Sequence, residues 1–268
     1  MFNFRRRTRE EISAETFDPR FDTRDRNGDR DPERKRPQFS RTEISHGVNF
    51  YSANAGARNL IVGFSGTRGR LNMAIYMILQ GLDESQHDLL LLSEETNAHF
   101  DLGIEGYAGS LTELMGKVGD FAAGRSYLSL ITYGTSMGGF PALRGGEVLG
   151  ADRAISIGGR FPHHPARLMG SARQIKAFDL LCECRRPFRS PSYLLYSQDQ
   201  AEDDRNAAVL RAIAPSCRII PVPGDNHNFP HQIRQNGKLG LFFSEIFDLK
   251  REPSQEKLAV LLAPATGA

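Results

Sequence analysis

The sequence predicts a doubly wound α/β protein, a mostly parallel sheet with helices on both faces. Three observations predict it. From Ile44 onward short apolar runs alternate with segments of helical period. The runs are continuous rather than alternating, which is the pattern of strands buried on both sides. Composition agrees, since 268 residues with 40% hydrophobic and 25% charged side chains have the balance of a globular chain. A chain of this length buries roughly 70–75% of its unfolded surface and needs no disulfide or metal staple.

The elements follow in order. Val48 to Ala53 reads as an early edge strand, and Asn59 to Phe64 (NLIVGF) as a buried strand ending at Ser65-Gly66. Leu71 to Leu82 reads as a helix and His87 to Leu92 as the next strand. Ser110 to Ala122 carries Leu111, Leu114, Met115, Val118 and Phe121 at helical spacing. Tyr127 to Tyr133 is a strand that runs into Gly134-Thr135-Ser136-Met137-Gly138-Gly139, and a helix follows through Val148. Strands at Arg153 to Ile157, Ser192 to Ser197 and Cys217 to Val222 complete the sheet. Helices are expected at Asp204 to Ile213 and Leu239 to Leu249.

The ends differ from this body. Residues 1–41 mix many arginines with many carboxylates and few apolar side chains, so that segment is expected to be disordered or only locally helical. The domain is read as 42–252, with 253–268 as a C-terminal tail. A formal net charge of +2 argues against a dedicated nucleic-acid binder. Arg5 to Arg7 lack an apolar run behind them, so no secretory signal is read. No window holds the roughly 18 apolar residues of a membrane helix, and no integral membrane association is expected. Cys182, Cys184 and Cys217 are odd in number and lack the second ligand pair of a zinc site. Free thiols in a reducing cytoplasm follow, with no metal and no cofactor.

The chemistry-bearing element is Gly134-Thr135-Ser136-Met137-Gly138, a G-x-S-x-G run between a strand and a helix. A serine on so tight a turn needs small neighbours, which Gly134 and Gly138 supply. The following helix N-terminus offers backbone N–H groups to a developing oxyanion. A serine hydroxyl also needs a base. Pro223-Gly224-Asp225-Asn226-His227 puts His227 on a turn after the last strand, at the sheet edge where the serine emerges. His231 could instead pair with His227 at i, i+4 around a metal, but Pro230 opposes a continuous helix there. The acid is sought in Gln198 to Asp204. Asp204 is preferred and Asp199 is second; Asp203 and Asp204 also sit where helix capping competes. A second oxyanion donor is expected near Ser65 to Thr67. That loop lacks the Lys-Ser/Thr ending of a phosphate cradle.

These pieces together (LIVGFSGTRG, TYGTSMGGF, YLLYSQDQAEDD and PVPGDNHNF) resemble the α/β-hydrolase-fold serine hydrolase superfamily from about Val48 to the Leu249 region. The resemblance implies Ser136 as nucleophile, His227 as base, and N–H groups of Met137 and Thr67 as the oxyanion hole. The β-strand loop lacks the His-Gly pair of many members, and the spacing of the acid is irregular. The implied activity is hydrolysis of a carboxylic ester through an acyl-enzyme, on a small-molecule or carbohydrate-linked acyl substrate. Two alternatives stand beside it: an acyltransferase passing the acyl group to a sugar or alcohol, and a non-catalytic interaction protein on the same scaffold. Residues 159–191, carrying Arg160, His163, His164, Arg167 and Arg173, are the candidate lid.

Overall fold

The computed structural model describes residues 39–53, 56–96, 99–160 and 188–263. Among the described residues there are eight strands: β1 (Ser40–Ser45), β2 (Val48–Ser52), β3 (Asn59–Phe64), β4 (His87–Leu92), β5 (Ser129–Thr135), β6 (Arg153–Ile157), β7 (Ser192–Ser197) and β8 (Arg218–Val222). The α-helices of the described residues are α1 (Ile75–Gly81), α2 (Leu111–Ala123), α3 (Gly139–Leu149), α4 (Ala201–Ile213), α5 (Phe229–Gln235), α6 (Leu239–Phe247) and α7 (Gln255–Leu262). The strands form one sheet in the order β1-β2-β4-β3-β5-β6-β7-β8. β1 and β2 are antiparallel to their neighbours and the remaining pairs are parallel.

Side-chain alternation explains why the strands read as continuous apolar runs. In β3, Ile61 joins one core with α1, α5, α6 and α7, while Leu60 and Val62 join the other with α2. The same split recurs in β7, where Tyr193 and Leu195 face α5–α7 and Leu194 and Tyr196 face α3 and α4. Both faces are therefore dry, as expected of a covered parallel sheet. Strand order reverses between β3 and β5: β3 continues to α1 on one face, and β5 to α3 on the other. The loops that follow them consequently leave the same edge of the sheet, the usual ligand position in open α/β sheets.

Several boundaries differ from the sequence expectation. The helix expected from Leu71 begins only at Ile75, because Asn72 adopts φ 61° and Ala74 is extended. β1 was hidden in a charged, exposed stretch. α4 starts three residues before its expected first residue, capped by the Gln200 side chain, which accepts from Asp203 N at 2.6 Å. Pro230 lies in the first turn of α5, where its missing N–H costs nothing. Of the leader expected over 1–41, residues 1–38 lie outside the described residues while Ser40 and Arg41 open β1; most of the candidate lid, including His163, His164, Arg167, Arg173, Cys182 and Cys184, also lies outside them. Cys217 is a buried free thiol, and burial pushes it up to about 12. Among the described residues no helix is long and apolar enough to cross a membrane.

The expected C-terminal tail needs correction. Residues 255–262 form α7, whose Leu258, Leu261 and Leu262 are buried in the core. Ser254 caps its start, and Lys257 and the backbone N–H of Ser254 both bond the buried Glu245 carboxylate of α6, at 3.1 and 2.9 Å. At the other end Lys238 Nζ donates to the carbonyls of Val260 and Ala263, and Asn236 to those of Leu261 and Leu262. These side chains satisfy carbonyls that a helix end leaves open. The apolar period over eight residues is too short to stand out from a tail by pattern alone. Leu258→Ala should lower unfolding free energy by about 2–5 kcal/mol in denaturant titration; a change below about 0.5 kcal/mol, typical of surface positions, would mean that α7 carries no stability.

Candidate functional site

The site grows from the end of β5. Ser136 takes φ 52°, a left-handed conformation that costs a non-glycine residue on the order of 1–3 kcal/mol. Its two flanking glycines make the turn possible. A Cβ on Gly134 would lie 2.0 Å from the Gly138 carbonyl oxygen, and one on Gly138 would lie 2.1 Å from the Phe64 oxygen. Backbone therefore packs on backbone, and the turn is pressed onto the end of β3. A single 3-10 turn, Ser136–Gly138, leads into α3. The positive end of that helix faces the serine.

The loop after β3 meets this turn. Ser65 N donates to Leu92 O and Gly66 N to Arg70 O, so the loop is tied before it reaches Thr67. The Thr67 hydroxyl donates to Met137 Sδ at 3.3 Å. The two residues expected to supply oxyanion N–H groups are thus neighbours. A second loop supports the turn from beneath: His99 Nδ1 is 3.1 Å from the Met137 carbonyl oxygen. His99 and the buried Phe100 are both left-handed, and the adjacent Asp101 pairs with Arg144 of α3 at 3.0 Å.

His227 occupies the turn between β8 and α5, and its Nδ1 lies 2.6 Å from Asp203 Oδ1. The Asp203 side chain is 0% exposed and that of His227 is 24% exposed. Asp203 Oδ2 accepts from Ser197 N at 3.4 Å, and the Ser197 hydroxyl donates to Asn226 O at 2.5 Å. Ser197 thus grips both the acid and the turn before the histidine. The preferred acid, Asp204, is corrected by this geometry. Because α4 begins at Ala201, residue 203 turns inward beneath β7 and residue 204 turns out to solvent. Asp199 is also not beside the imidazole; its carboxylate accepts from Gly224 N at 3.1 Å and braces the turn.

The alternative His227/His231 metal pair is not formed, since His227 precedes the helix that carries His231. Among the described residues no group of three or more His, Cys, Asp or Glu side chains gathers as a metal site.

Ser136 and His227 flank one segment. Arg160 N donates to Ser136 O at 2.9 Å, and Gly158 lies against the imidazole, where a Cβ would fall 2.8 Å from Cε1 and 3.0 Å from Nδ1. His227 Nε2 is buried and makes no hydrogen bond among the described residues, so Ser136 Oγ and the imidazole are not bonded in this structure. Residues that sequence reasoning missed include His99, Ser197 and Gly158. Only the last carried a signal, a Gly-Gly pair directly after a strand, equally readable as a plain turn.

No family model and no curated protein matches the chain. Solved structures do. An α/β hydrolase enzyme from the metagenome of lagoon sediments at Mar Chica, Morocco, aligns over 76% of this chain and 98% of its own, with TM-score 0.51 and 13% identity. A dienelactone hydrolase from Anabaena variabilis aligns over 79% and 98%, with TM-score 0.51 and 16% identity. A 2,6-dihydroxy-pseudo-oxynicotine hydrolase aligns over 81% and 71%, with TM-score 0.53 and 15% identity.

The seat of the imidazole can be tested with a matched pair of glycines. Gly158 and Gly150 share left-handed backbone, at φ 53° and 62°, but nothing lies within 4 Å of a Cβ on Gly150. Gly158→Ala and Gly150→Ala should each cost on the order of 1–3 kcal/mol of stability. Only Gly158→Ala should shift the low-field imidazole proton of the His227–Asp203 bond in NMR; equal spectra for the two variants would remove the claim. Sheet order and comparisons agree: the chain has the α/β-hydrolase fold.

Proposed function

We propose that the protein is a serine hydrolase that cleaves a carboxylic ester through a covalent acyl-enzyme. The observation that carries this reading is the 2.6 Å contact between His227 Nδ1 and buried Asp203. That contact fixes the proton on Nδ1 and leaves Nε2 as the basic nitrogen. The left-handed Ser136 and the Thr67–Met137 neighbourhood supply the complementary half. The structural neighbours, several of them hydrolases by name, support the same class.

In this mechanism His227 Nε2 takes the Ser136 hydroxyl proton as Oγ attacks the ester carbonyl carbon. Asp203 holds the imidazole and stabilises its charged form. The N–H groups of Met137 and Thr67 receive the oxyanion. The imidazolium returns its proton to the leaving alcohol, and the acyl group stays on Oγ. Water, deprotonated by the same nitrogen, then releases the acid. Asp203 is suited to its part because it sits in the first turn of α4, where the helix dipole favours a carboxylate. The chemistry calls on no metal or cofactor, and the odd cysteine count favours a cytoplasmic setting.

The substrate class proposed is a small-molecule or carbohydrate-linked acyl compound. With an activated ester, Ser136→Ala should lower kcat/KM by at least about a thousandfold and Asp203→Asn by about 10³–10⁴. Asp204→Asn should stay within about threefold, as solvent-facing positions do. Fluorophosphonate labelling of Ser136, read by mass spectrometry, is the decisive measurement. An unlabelled serine in folded protein would favour the non-catalytic scaffold, and product carried on an added alcohol rather than free acid would make it an acyltransferase.

A further inference from the structure

Two half-buried asparagines near His227 each keep one amide atom closed to water. Asn72 lies in the segment between the β3 loop and α1, with φ 61°. Asn228 follows His227 directly, and its Nδ2 donates to Asn72 O at 3.0 Å across 156 residues of sequence. Each is held between anchored neighbours: Leu71 and Met73 on one side, Phe229 on the other, all buried. Yet Asn72 Nδ2 and Asn228 Oδ1 are closed to water and have no hydrogen-bond partner among the described residues.

This combination is costly in two ways. A buried amide donor without an acceptor forfeits its solvation, and so does a buried acceptor without a donor. One bond between Asn72 Nδ2 and Asn228 Oδ1 would relieve both, but the tether through Asn72 O does not bring those atoms into hydrogen bond. Being closed to water does not set the amides apart from the reacting centre, since His227 Nε2 is equally buried and unpartnered.

We propose that Asn72 and Asn228 form a subsite for a hydroxyl group that the substrate carries next to its scissile ester; the proposal rests on the hydrolase reading above. The chemistry selects the group by elimination. Asn72 Nδ2 requires an acceptor and Asn228 Oδ1 requires a donor. A hydroxyl supplies both from one atom. A carboxylate only accepts, an ammonium only donates, and an alkyl chain does neither. The subsite therefore selects hydroxy esters, as in polyol or sugar acyl compounds, over alkyl esters of the same size, because an alkyl group leaves the two amides unpaired.

The test uses two matched pairs of esters on the full chain. The first pair is 4-nitrophenyl 3-hydroxybutyrate against 4-nitrophenyl butyrate, with the hydroxyl on the acyl side. The second is 2-hydroxyethyl butyrate against propyl butyrate, with the hydroxyl on the alcohol side. The wild-type protein should favour the hydroxylated member of at least one pair by about tenfold or more in kcat/KM. Asn72→Gly keeps the left-handed backbone while deleting the amide, and Asn72→Asp replaces the donor with an acceptor. Both should bring that ratio to within about threefold of unity. Fluorophosphonate labelling of Ser136 in every variant separates a folded site from a collapsed one. A labelled wild-type protein with no preference in either pair, or a preference that survives in a labelled Asn72→Gly, overturns the subsite and leaves the nucleophile standing. A wild-type Ser136 that does not label overturns the hydrolase reading, and the subsite falls with it.

Discussion

The contact of backbone on backbone between the Ser136 turn and the end of β3 is the constraint on which the site depends. The Gly138 α-carbon lies so close to β3 that a Cβ would stand 2.1 Å from Phe64 O and 2.5 Å from Ser65 O. No side chain can enter there. The approach forces the strand-to-helix turn to be tight, and tightness sets the left-handed Ser136. It also brings the loop after β3 against Met137, since that loop leaves β3 at the point of contact. The reversal of strand order lies between the same two strands. Topology, backbone strain and the grouping of candidate donors are consequences of one close approach.

The other half of the site is built on a different principle. Asp203 is enclosed, and an enclosed carboxylate is tolerable only when its oxygens are paired. His227 takes one oxygen and the Ser197 backbone the other. Ser197 also bonds the carbonyl before His227, so acid and base are referred to the end of a single strand, β7. Gly158, at the end of neighbouring β6, closes the remaining side of the imidazole. Rigid strand ends thus locate groups carried on loops, which limits the entropy lost in bringing them together.

Parts of this were legible in the sequence for physical reasons. Doubly buried strands announce themselves by continuous apolar runs, as NLIVGF and SYLLYS do. The elbow is legible because sterics demand glycine at 134 and 138. His227 follows from the shared C-terminal edge of parallel strands. The acid was not legible, because adjacent Asp203 and Asp204 differ only in helical phase, and phase depends on where α4 starts. That start is set by Gln200, a residue with no strong capping signature. β1 was hidden because an exposed edge strand of polar residues has no buried face to print a pattern. α7 was hidden because its partners, Lys238, Asn236 and Glu245, lie in an earlier part of the chain.

One small feature behind the elbow bears on how such a chain can change over time. The buried Ser156 hydroxyl lies between two glycines, 2.4 Å from where a Cβ on Gly139 would stand and 2.1 Å from one on Gly159. Any enlargement of either glycine must displace the serine hydroxyl, and a Cβ at residue 139 would also stand 2.6 Å from the Gly159 α-carbon. Single replacements at 139 or 159 are therefore disfavoured while residue 156 keeps its hydroxyl. Shrinking residue 156 first opens the space for one of them. Residues 139, 156 and 159 are thus sterically coupled, and a side chain at 159 calls for a smaller residue at 156.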